Sequence, residues 1–497
     1  MSVPAVPDID LLLRLRTRFG ELDYTVDGVL ERIGESGQAG LGRNQTTPAV
    51  RALDGNDDEL ASLIRLFVLQ RAISLDAAER ALPELLPDMI SQGLVAVTED
   101  GVVALIDIRP YATDDATPKW IVSDLTPGLD GPPPPMRADY VLGVSPASTT
   151  LAQLTIRNRV GTALDLGTGC GVQSVHLADH ADRVIATDLN PRALQLAAWT
   201  AALNDTEIDL RAGDLYAPVA GEWFDLIVSN PPYVMSPPAP AGERLTYREG
   251  TRTGDELVRE VVTTGIELLA DGGVLQVLGN WAVLDGDWQQ RLRSWFPDTG
   301  VQAMVIERER LDVYEYIEIW LTDAGLFGSA DYLPAYERWL DYFDSLGITG
   351  VGMGWITIRR YGDQPSIVRT ESWPHAVAQP VGDALGDWLA ATAEATVTAE
   401  GLWATHWRLD PAVDSETVGR PGAADPEHVI YRQRTGLLRA VEVDTGLGGV
   451  LGACDGDLPL GAIVDAVAQL LEVDAEALRA ELQPKLRELI ADGFLRR

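Results

Sequence analysis

The sequence LDLGTGCG, residues 164–171, joins an apolar run that predicts a strand to a helical pattern at 173–178. Its three glycines permit a tight turn and a close approach of the backbone to a ligand at the start of a helix. The spacing is G-x-G-x-G, whereas a dinucleotide pyrophosphate is held by G-x-G-x-x-G. We therefore predict a mostly parallel α/β sheet with a ligand-binding turn after one of its strands.

Three acidic residues stand at or near the ends of successive predicted strands. Asp165 precedes the first glycine, where an acid suits a ligand with an ammonium group better than one with a phosphate. Asp188 ends the next strand, where a Rossmann-like fold uses an acid to accept the ribose hydroxyls; the alternative is a helix N-cap. Asp214 ends a third segment and could accept a hydrogen bond from an adenine amino group, or could be a simple turn acid.

The predicted strand 224–229 stops at Asn230-Pro231-Pro232-Tyr233. Proline cannot donate to a sheet ladder, so the strand must end there. The exit presents an amide oxygen, a free backbone carbonyl and an aromatic ring. Two acceptors and a stacking surface suit a planar –NH2 group, whose two protons they can bind. The alternative is an ordinary proline-terminated strand.

In this order, the four motifs resemble those of class I S-adenosylmethionine-dependent methyltransferases, over roughly residues 137–323. The resemblance implies S-adenosyl-L-methionine as cofactor, with Asp165 and the glycine turn near its methionine part, Asp188 on its ribose and Asp214 near its adenine. The glycines concerned are Gly167, Gly169 and Gly171. The Asn-Pro-Pro-Tyr element resembles that of enzymes that methylate planar nitrogen: release-factor glutamine N5-methyltransferases and nucleobase amino-methyltransferases. The extension 234–238 looks closer to the glutamine branch.

This resemblance also assigns the catalytic residues. Asn230 Oδ1 and the Pro231 carbonyl would accept the protons of the –NH2 group and orient its lone pair, and Tyr233 would stack on the planar group. The five histidines are scattered along the chain, and none is assigned a catalytic role. The long segment 236–250 suggests a substrate lid, with its charged residues as candidate contacts: Arg244, Arg248 and Glu249. Ser148 and Thr149 are candidate hydroxyl contacts or helix caps.

The predicted fold is α/β, a Rossmann-like seven-stranded methyltransferase sheet flanked by mainly helical, winged-helix-like modules. The predicted domains are an N-terminal module at 1–110, a Pro-rich connector at 111–136, the sheet domain at 137–361 and a C-terminal module at 362–497 that ends in a winged-helix-like bundle. The clearest predicted strands are 162–165, 183–188, 224–229 and 273–278, followed by 314–321 and 355–359. An aromatic-rich helical pattern at 331–347 suggests an insertion.

The formal net charge is −36, from 75 acidic and 39 basic residues. This charge repels polyanions at long range unless a local basic patch overcomes it. No run of lysine and arginine with interleaved aromatic residues supplies such a patch, and between residues 57 and 92 seven acids face three arginines. A protein substrate is therefore favoured, and a nucleic acid is disfavoured without being excluded.

The remaining composition points to a bacterial, cytoplasmic enzyme. No stretch approaches the roughly 20 apolar residues of a membrane span, and residues 1–20 do not read as a secretory signal. Cys170 and Cys454 fall in different predicted domains, which argues against a disulfide, and no Cys/His cluster has the spacing of a zinc site. The basic residues are almost all arginine, which is typical of GC-rich bacterial coding.

These patterns together lead to one leading hypothesis. The protein would transfer a methyl group from S-adenosylmethionine to a planar –NH2 nitrogen, with a glutamine side-chain amide of a protein as the first acceptor class. The alternatives are an adenine or guanine amine in RNA or DNA, and a small molecule. A cofactor-binding scaffold without turnover is the non-enzymatic alternative.

Overall fold

The computed structural model describes residues 8–113, 117–131, 136–238, 252–284, 286–421 and 426–497. The chain divides into two compact units. The first comprises Met1–Ala152 and Asn158–Trp373, and the second comprises Gln153–Arg157 and Pro374–Arg497.

The first unit begins with helices and two β-hairpins. Their bounds are α1 Ile9–Glu21, α2 Val26–Leu41, α3 Thr47–Ala52, α4 Glu59–Leu63, α5 Leu75–Ala81, α6 Leu86–Ser91, β1 Val95–Thr98, β2 Gly101–Ala104, β3 Asp107–Ala112 and β4 Pro118–Ser123. A π-helical turn at Ile64–Val68 continues α4. Helices dominate this part, as predicted, and β1 pairs with β2 in a hairpin in which Thr98 faces Gly101.

Helix α5 begins at Leu75, after Ser74, whose side chain accepts a hydrogen bond from Ala77 N. One expectation in this part is wrong. The segment predicted as a connector contains β4, which pairs antiparallel with β3. The proline-rich stretch 132–135 lies outside the described residues.

The central part alternates strands and helices. Its elements are α7 Pro146–Leu154, β5 Val160–Leu166, α8 Val172–Ala178, β6 Ala181–Asp188, α9 Pro191–Leu203, β7 Asp209–Ala212, β8 Phe224–Ser229, α10 Glu256–Glu267, β9 Leu269–Val283, α11 Trp288–Arg293, β10 Thr299–Asp312, α12 Val313–Asp323, α13 Tyr332–Leu346, β11 Gly350–Pro365 and β12 Ile367–Ser372.

These strands form one eight-stranded sheet in the order β12-β10-β11-β9-β8-β5-β6-β7. Strands β5 to β9 run parallel, and β11 is antiparallel to both of its neighbours. The fold is Rossmann-like α/β, as predicted, with β12 as an eighth strand at one edge. The chain proceeds from β5 towards one edge and then returns to β8, and such a reversal marks where ligands bind outside the carboxyl ends of the strands.

The segment 314–321, predicted as a strand, is the helix α12. Asp312 caps it by accepting a hydrogen bond from Glu315 N at 2.8 Å, and its buried residues are Tyr316, Ile317 and Leu321. The aromatic pattern at 331–347 does correspond to a helix, α13. The sheet continues to Ser372 because β12 pairs with β10, so the predicted domain end at residue 361 falls inside β11.

The N-terminal helices and hairpins share one apolar core with the glycine-turn side of the sheet domain. This cluster includes Phe19, Tyr24, Phe67 and Trp120 from the N-terminal part, and Cys170, Val175, Leu196 and Trp199 from the turn, α8 and α9. A separate cluster joins α12 and α13 to Val234 and Met235, which follow the proline exit of β8. Two additional apolar clusters thus pack on the sheet domain, one at the glycine turn and one at the segment that follows β8.

The second unit has its own core around the fully buried Trp407. Its elements are α14 Gly382–Ala395, α15 Ala399–Ala404, β13 Arg408–Leu409, β14 Val413–Val418, β15 His428–Gln433, β16 Ala440–Glu442, α16 Thr445–Gly452, α17 Leu460–Leu471, α18 Ala475–Ala491 and β17 Leu495–Arg496. The three helices α16, α17 and α18 stand where a helical bundle was predicted to end the module. The three-stranded sheet β14-β15-β16 was not predicted, so the expectation of a mainly helical module is incomplete.

None of the helices in the described ranges is long and apolar enough to cross a membrane.

Candidate active site

A cavity of about 480 Å³ lies at the carboxyl ends of β5, β6 and β8. This is the reversal point of the sheet, where the fold leaves a crevice. Seven of the nine predicted site residues line it: Asp165, Gly167, Gly169, Asp188, Asp214, Asn230 and Pro231. Gly171 and Tyr233 do not belong to its wall.

The three glycines of the turn have different surroundings. All have a positive φ, of 78° at Gly167, 55° at Gly169 and 83° at Gly171. A Cβ at Gly171 would lie 3.2 Å from both Cα and Cβ of Ala197 in α9, whereas the Cβ positions of Gly167 and Gly169 face open space. Gly171 is therefore required by helix packing, and the other two leave room beside the cavity.

Asp165 is buried in the cavity wall at 1% exposure. Its Oδ2 accepts hydrogen bonds from Thr168 Oγ1 at 2.7 Å and from Ser174 Oγ at 2.6 Å. Burial raises the pKa of this carboxyl to about 6, because removal from water disfavours the charged form. The two hydroxyls fix the orientation of the carboxylate.

Asp188 joins the end of β6 to the glycine turn. Its Oδ2 accepts a hydrogen bond from Gly169 N at 2.9 Å, and its Oδ1 accepts one from Asn190 N at 2.8 Å. Burial raises the pKa of Asp188. The cap of α9 is Asn190, whose Oδ1 accepts from Arg192 N at 3.0 Å, so Asp188 is not the helix cap. Each of its oxygens retains capacity for a second hydrogen bond.

Asp214 forms an ion pair with a residue that the sequence did not single out. Arg252 Nη2 donates to Asp214 Oδ2 at 3.0 Å, and Arg252 also donates to both carboxylate oxygens of Glu260, at 2.8 and 3.1 Å. The hydrogen bonds to Glu260 and Asp214 raise the pKa of Arg252. Arg252 lines the cavity, so the site contains a cation beside its acids.

Asn230 carries the most unusual atom of the site. Its Oδ1 is buried and has no hydrogen-bond partner among the described residues. The preceding residue, Ser229, donates from Oγ to Leu166 O at 2.9 Å and so ties the end of β8 to the end of β5. An unpaired buried acceptor costs about 1–3 kcal/mol, a cost that functional sites retain when a ligand supplies the donor.

The other candidates from the sequence lie elsewhere or are already engaged. Tyr233 is half-buried between the core of the sheet and the α12–α13 cluster, where burial raises its pKa. Its stacking role stays a prediction. Ser148 lines the cavity. Ser145 Oγ accepts a hydrogen bond from Ser148 N at 3.2 Å, so Ser145, and not Ser148, is in the position of the cap of α7. The candidate contacts of the 236–250 segment, Arg244, Arg248 and Glu249, lie outside the described residues.

Sequence reasoning missed most of the apolar wall of the cavity. The missed members include Tyr140, Val141, Leu189, Leu215 and Leu257. Leu189 is 51% exposed in the structure, and the signal that the sequence offered is an apolar residue directly after Asp188, the acid that ends its strand. No group of three or more potential metal ligands occurs among the residues that the structure describes.

Two protein-family descriptions match this chain. Residues 143–301 match the methyltransferase small domain. The central domain is a class I S-adenosylmethionine-dependent methyltransferase domain. Its cofactor is S-adenosylmethionine. Residues 21–105 match a domain of unknown function, DUF7059.

Individual relatives match parts of the chain. A ribosomal RNA small subunit methyltransferase C of Haemophilus influenzae is 32% identical over 158 residues, which is 31% of this chain and 42% of that protein. A putative protein N5-glutamine methyltransferase of Methanocaldococcus jannaschii is 33% identical over 121 residues, 23% of this chain and 59% of that protein. The chain therefore spans less than two thirds of the length of either relative.

Among solved structures, a T. thermophilus 16S rRNA N2 methyltransferase in complex with AdoMet and guanosine is 17% identical to this chain. The match covers 48% of this chain and 64% of that one, with a TM-score of 0.27.

Proposed function

We propose that this protein transfers a methyl group from S-adenosylmethionine to a planar –NH2 nitrogen of an acceptor. The observation that carries this proposal is the buried Oδ1 of Asn230, which has no hydrogen-bond partner among the described residues and belongs to a residue that lines the cavity. Among the described residues the atom is an acceptor without a donor, and an amino group is the kind of ligand that provides one.

The residues of the cavity fit the cofactor. Asp165 supplies a carboxylate for its ammonium group, and Asp188 keeps acceptor capacity for its ribose hydroxyls. The open space beside Gly167 leaves room for its methionine part, and Leu189 and Leu215 provide apolar surface for its adenine. Bound S-adenosylmethionine supplies an electrophilic methyl group on its sulfonium sulfur.

The chain's own contribution is to orient the acceptor. An amide or aromatic amine holds its nitrogen lone pair in conjugation, so the nitrogen is a weak nucleophile. Asn230 Oδ1 and the Pro231 carbonyl accept the two –NH2 protons and so direct the lone pair. Positioning of this kind can contribute several kcal/mol to a reaction barrier. A basic side chain is not required, because the proton can leave after the transfer.

The first candidate acceptor is a glutamine side-chain amide in a protein. The net charge of −36 favours a protein over a polyanion. One of the relatives is named a putative protein N5-glutamine methyltransferase, which supports the same choice.

The second candidate acceptor is the exocyclic amine of a nucleobase. The observation in its favour is the similarity to the Haemophilus influenzae ribosomal RNA small subunit methyltransferase C, whose alignment of 158 residues is the longer of the two described above. A local basic patch could offset the overall negative charge.

Calorimetry and transfer rates test the reaction. We expect Asp188→Ala to weaken S-adenosylmethionine binding by about tenfold or more, through loss of the ribose acceptor. Asn230→Ala should leave that affinity unchanged and lower kcat by about 10²–10³-fold. Asn158→Ala, an exposed asparagine at the opposite end of the sheet, is the matched control. Near-normal turnover by Asn230→Ala would falsify the proposal that Asn230 orients the –NH2 group of the acceptor.

A labelling experiment separates the acceptors. A lysate of the source cells is incubated with the enzyme and with cofactor that carries a radiolabelled methyl group, and is then treated with protease or nuclease. Label that is released by protease and resists nuclease supports the protein acceptor. The opposite result would replace it with a nucleobase.

A further inference from the structure

The helices α12 and α13 form a hairpin, residues 313–346, that is inserted between β10 and β11. The reaction proposed above does not use it. Its inner side packs on the segment that follows the proline exit of β8, through a core that contains Val234, Met235, Tyr316, Trp339 and Phe343. The hairpin is therefore attached directly to the residues that follow Asn230.

Two tyrosine hydroxyls fasten the hairpin beside the cavity. Tyr316 OH accepts hydrogen bonds from Met235 N at 3.1 Å and from Asn280 Nδ2 at 3.2 Å. Tyr342 OH accepts one from Gly254 N at 2.9 Å. Gly254 lies two residues after Arg252, which lines the cavity. The hairpin is thus held to the backbone on both sides of the segment 236–253.

The outer end of the hairpin carries an exposed aromatic and aliphatic patch. We name it the tip patch; its members are Phe327, Tyr332, Leu333 and Tyr336. Phe327 is 73% exposed and Leu333 is 69% exposed. The rings of Phe327 and Tyr332 lie 5.7 Å apart between centroids, and those of Tyr332 and Tyr336 lie 5.9 Å apart. Tyr332 and Tyr336 are half-buried, so Phe327 and Leu333 are the exposed members, and exposed apolar side chains grouped in this way are typical of a binding surface.

The hairpin that carries the tip patch is rich in negative charge. Residues 313–346 contain seven acids and one base, Arg338. All seven acids are exposed. Six of them form no ion pair with any residue in the described ranges: Glu315, Glu318, Asp331, Glu337, Asp341 and Asp344. Glu318 lies next to the patch and accepts a hydrogen bond from Tyr336 OH at 3.1 Å.

We propose that the hairpin docks the methyl acceptor, and that this acceptor is a protein segment in which arginine or lysine side chains stand beside apolar ones. Basic side chains neutralise the unpaired acids, and a guanidinium group also stacks on tyrosine or phenylalanine rings. Apolar side chains cover Phe327 and Leu333. A nucleic acid would meet repulsion at the same surface. This inference rests on the proposed function and specifies the chemistry of its acceptor.

Binding of defined probes to the full chain tests the inference. The probes are two short peptides with a central glutamine and alternating leucines, one with arginine and the other with glutamate at the remaining positions, and a short single-stranded RNA that contains guanine. We expect the arginine peptide to bind at least about tenfold more tightly than either other probe. Fluorescence anisotropy at physiological ionic strength measures the three affinities.

A double variant localises the binding, because the overall charge of the chain would attract a basic peptide at any surface. Phe327→Ser together with Leu333→Ser removes two exposed side chains and should weaken arginine-peptide binding by about tenfold. The control is Trp223→Ser, which removes a 70% exposed side chain at the amino end of β8 and should change nothing. Equal weakening by the control, no weakening by the double variant, or tighter binding of the RNA overturns the docking proposal.

Cofactor affinity distinguishes this failure from failure of the proposed function. The double variant should bind S-adenosylmethionine as the unchanged chain does, because neither residue lines the cavity. If the docking proposal fails while Asp188→Ala still weakens cofactor binding and Asn230→Ala still lowers turnover, only the docking site is wrong. If those two effects are absent as well, the proposed function is wrong.

Discussion

Asp165 is a carboxyl group held away from solvent between two hydroxyl donors. Its pKa of about 6 lies above the value of about 3.9 of an aspartate in an unfolded chain. The folded state therefore binds this proton more tightly. The resulting stabilisation is complete below about pH 4 and is lost as the pH rises through about 6, so that the buried charge costs about 3 kcal/mol at neutral pH.

Replacing Asp165 by asparagine should remove this dependence on pH. The amide oxygen can still accept from Thr168 and Ser174, so the fold is retained. Between about pH 4 and pH 7, the unfolding free energy of Asp165→Asn should rise relative to that of the unchanged chain by about 2–3 kcal/mol. Urea denaturation at the two pH values measures it.

The exposed Asp182→Asn on β6 is the control for this experiment, since its carboxyl is 73% exposed. A difference that does not change with pH would contradict the assignment. S-adenosylmethionine should bind the Asp165→Asn variant more weakly at pH 7.5, because its ammonium group loses the facing charge.

The residues of the site that can be predicted from sequence are those at the carboxyl ends of parallel strands. Asp188 and Asn230 line one cavity because the sheet brings those ends together. Arg252 could not be predicted, because it follows a long segment and reaches the cavity only through its ion pair with Asp214. Tyr233 was predicted from the motif to stack on the acceptor; it packs against two apolar clusters, and its stacking role stays a prediction.

Among the elements, α12 is the one whose connection to the site can be tested by removing a single oxygen atom. Tyr316→Phe removes the hydroxyl that accepts from Met235 N and keeps the ring in the core. We expect kcat to fall by about three- to tenfold, because the segment that carries Asn230 loses a fixed point. The affinity for S-adenosylmethionine should not change. Initial rates of methyl transfer and calorimetry measure the two quantities.

Tyr314→Phe is the control for this element, since Tyr314 lies on the same helix and is 56% exposed. Equal losses in both variants would mean that the hydroxyl of Tyr316 does not position the site.

The contact between α9 and β4 leads to a second prediction for these elements, which concerns the free energy of unfolding. Asn204, at the end of α9, accepts from Trp120 N at 3.0 Å and donates to Trp120 O at 2.7 Å. Thr200, one turn earlier, accepts from Val122 N at 3.0 Å. These side chains supply the hydrogen bonds that a neighbouring strand would otherwise give to the edge of β4.

Asn204→Ala should lower the free energy of unfolding by about 2–4 kcal/mol, because two buried backbone groups lose their partners. Chemical denaturation measures the loss. Gln195→Ala, a partly exposed position on the same helix, should change stability by less than about 0.5 kcal/mol. A small effect of Asn204→Ala would show that water replaces its side chain.

Secondary structure could be predicted where polarity and periodicity agreed. The strand 224–229 was predicted with its observed bounds, because an apolar run ends there at two prolines. The segment 314–321 was assigned to a strand because aromatic and β-branched residues dominate it, and the Asp312 cap decided for a helix instead. Strand β10 was missed, since its carboxyl end carries the charged run 307–310, which hides the strand pattern.

At the scale of the whole molecule, the excess of acids predicts a dependence of stability on salt. The net charge of −36 produces self-repulsion in the compact state. Raising the sodium chloride concentration from about 10 mM to about 150 mM shortens the screening length from about 30 to about 8 Å. We expect the Tm to rise by about 2–5 °C, as measured by differential scanning fluorimetry.

The same measurement in choline chloride tests whether the effect comes from screening or from a bound ion. Equal rises in both salts indicate screening, and a fall in Tm in either salt would contradict the prediction.

The apolar core shared by the N-terminal helices, the glycine turn, α8 and α9 has a consequence for the inheritance of this protein. Residues 21–105 and 143–301 match two separate family descriptions, yet apolar side chains of both regions pack together in this core. A recombination event that parted them would leave both with bare apolar surface, prone to aggregation. We therefore expect that genomes encode the two regions together in one gene, one directly after the other, and that they are inherited together.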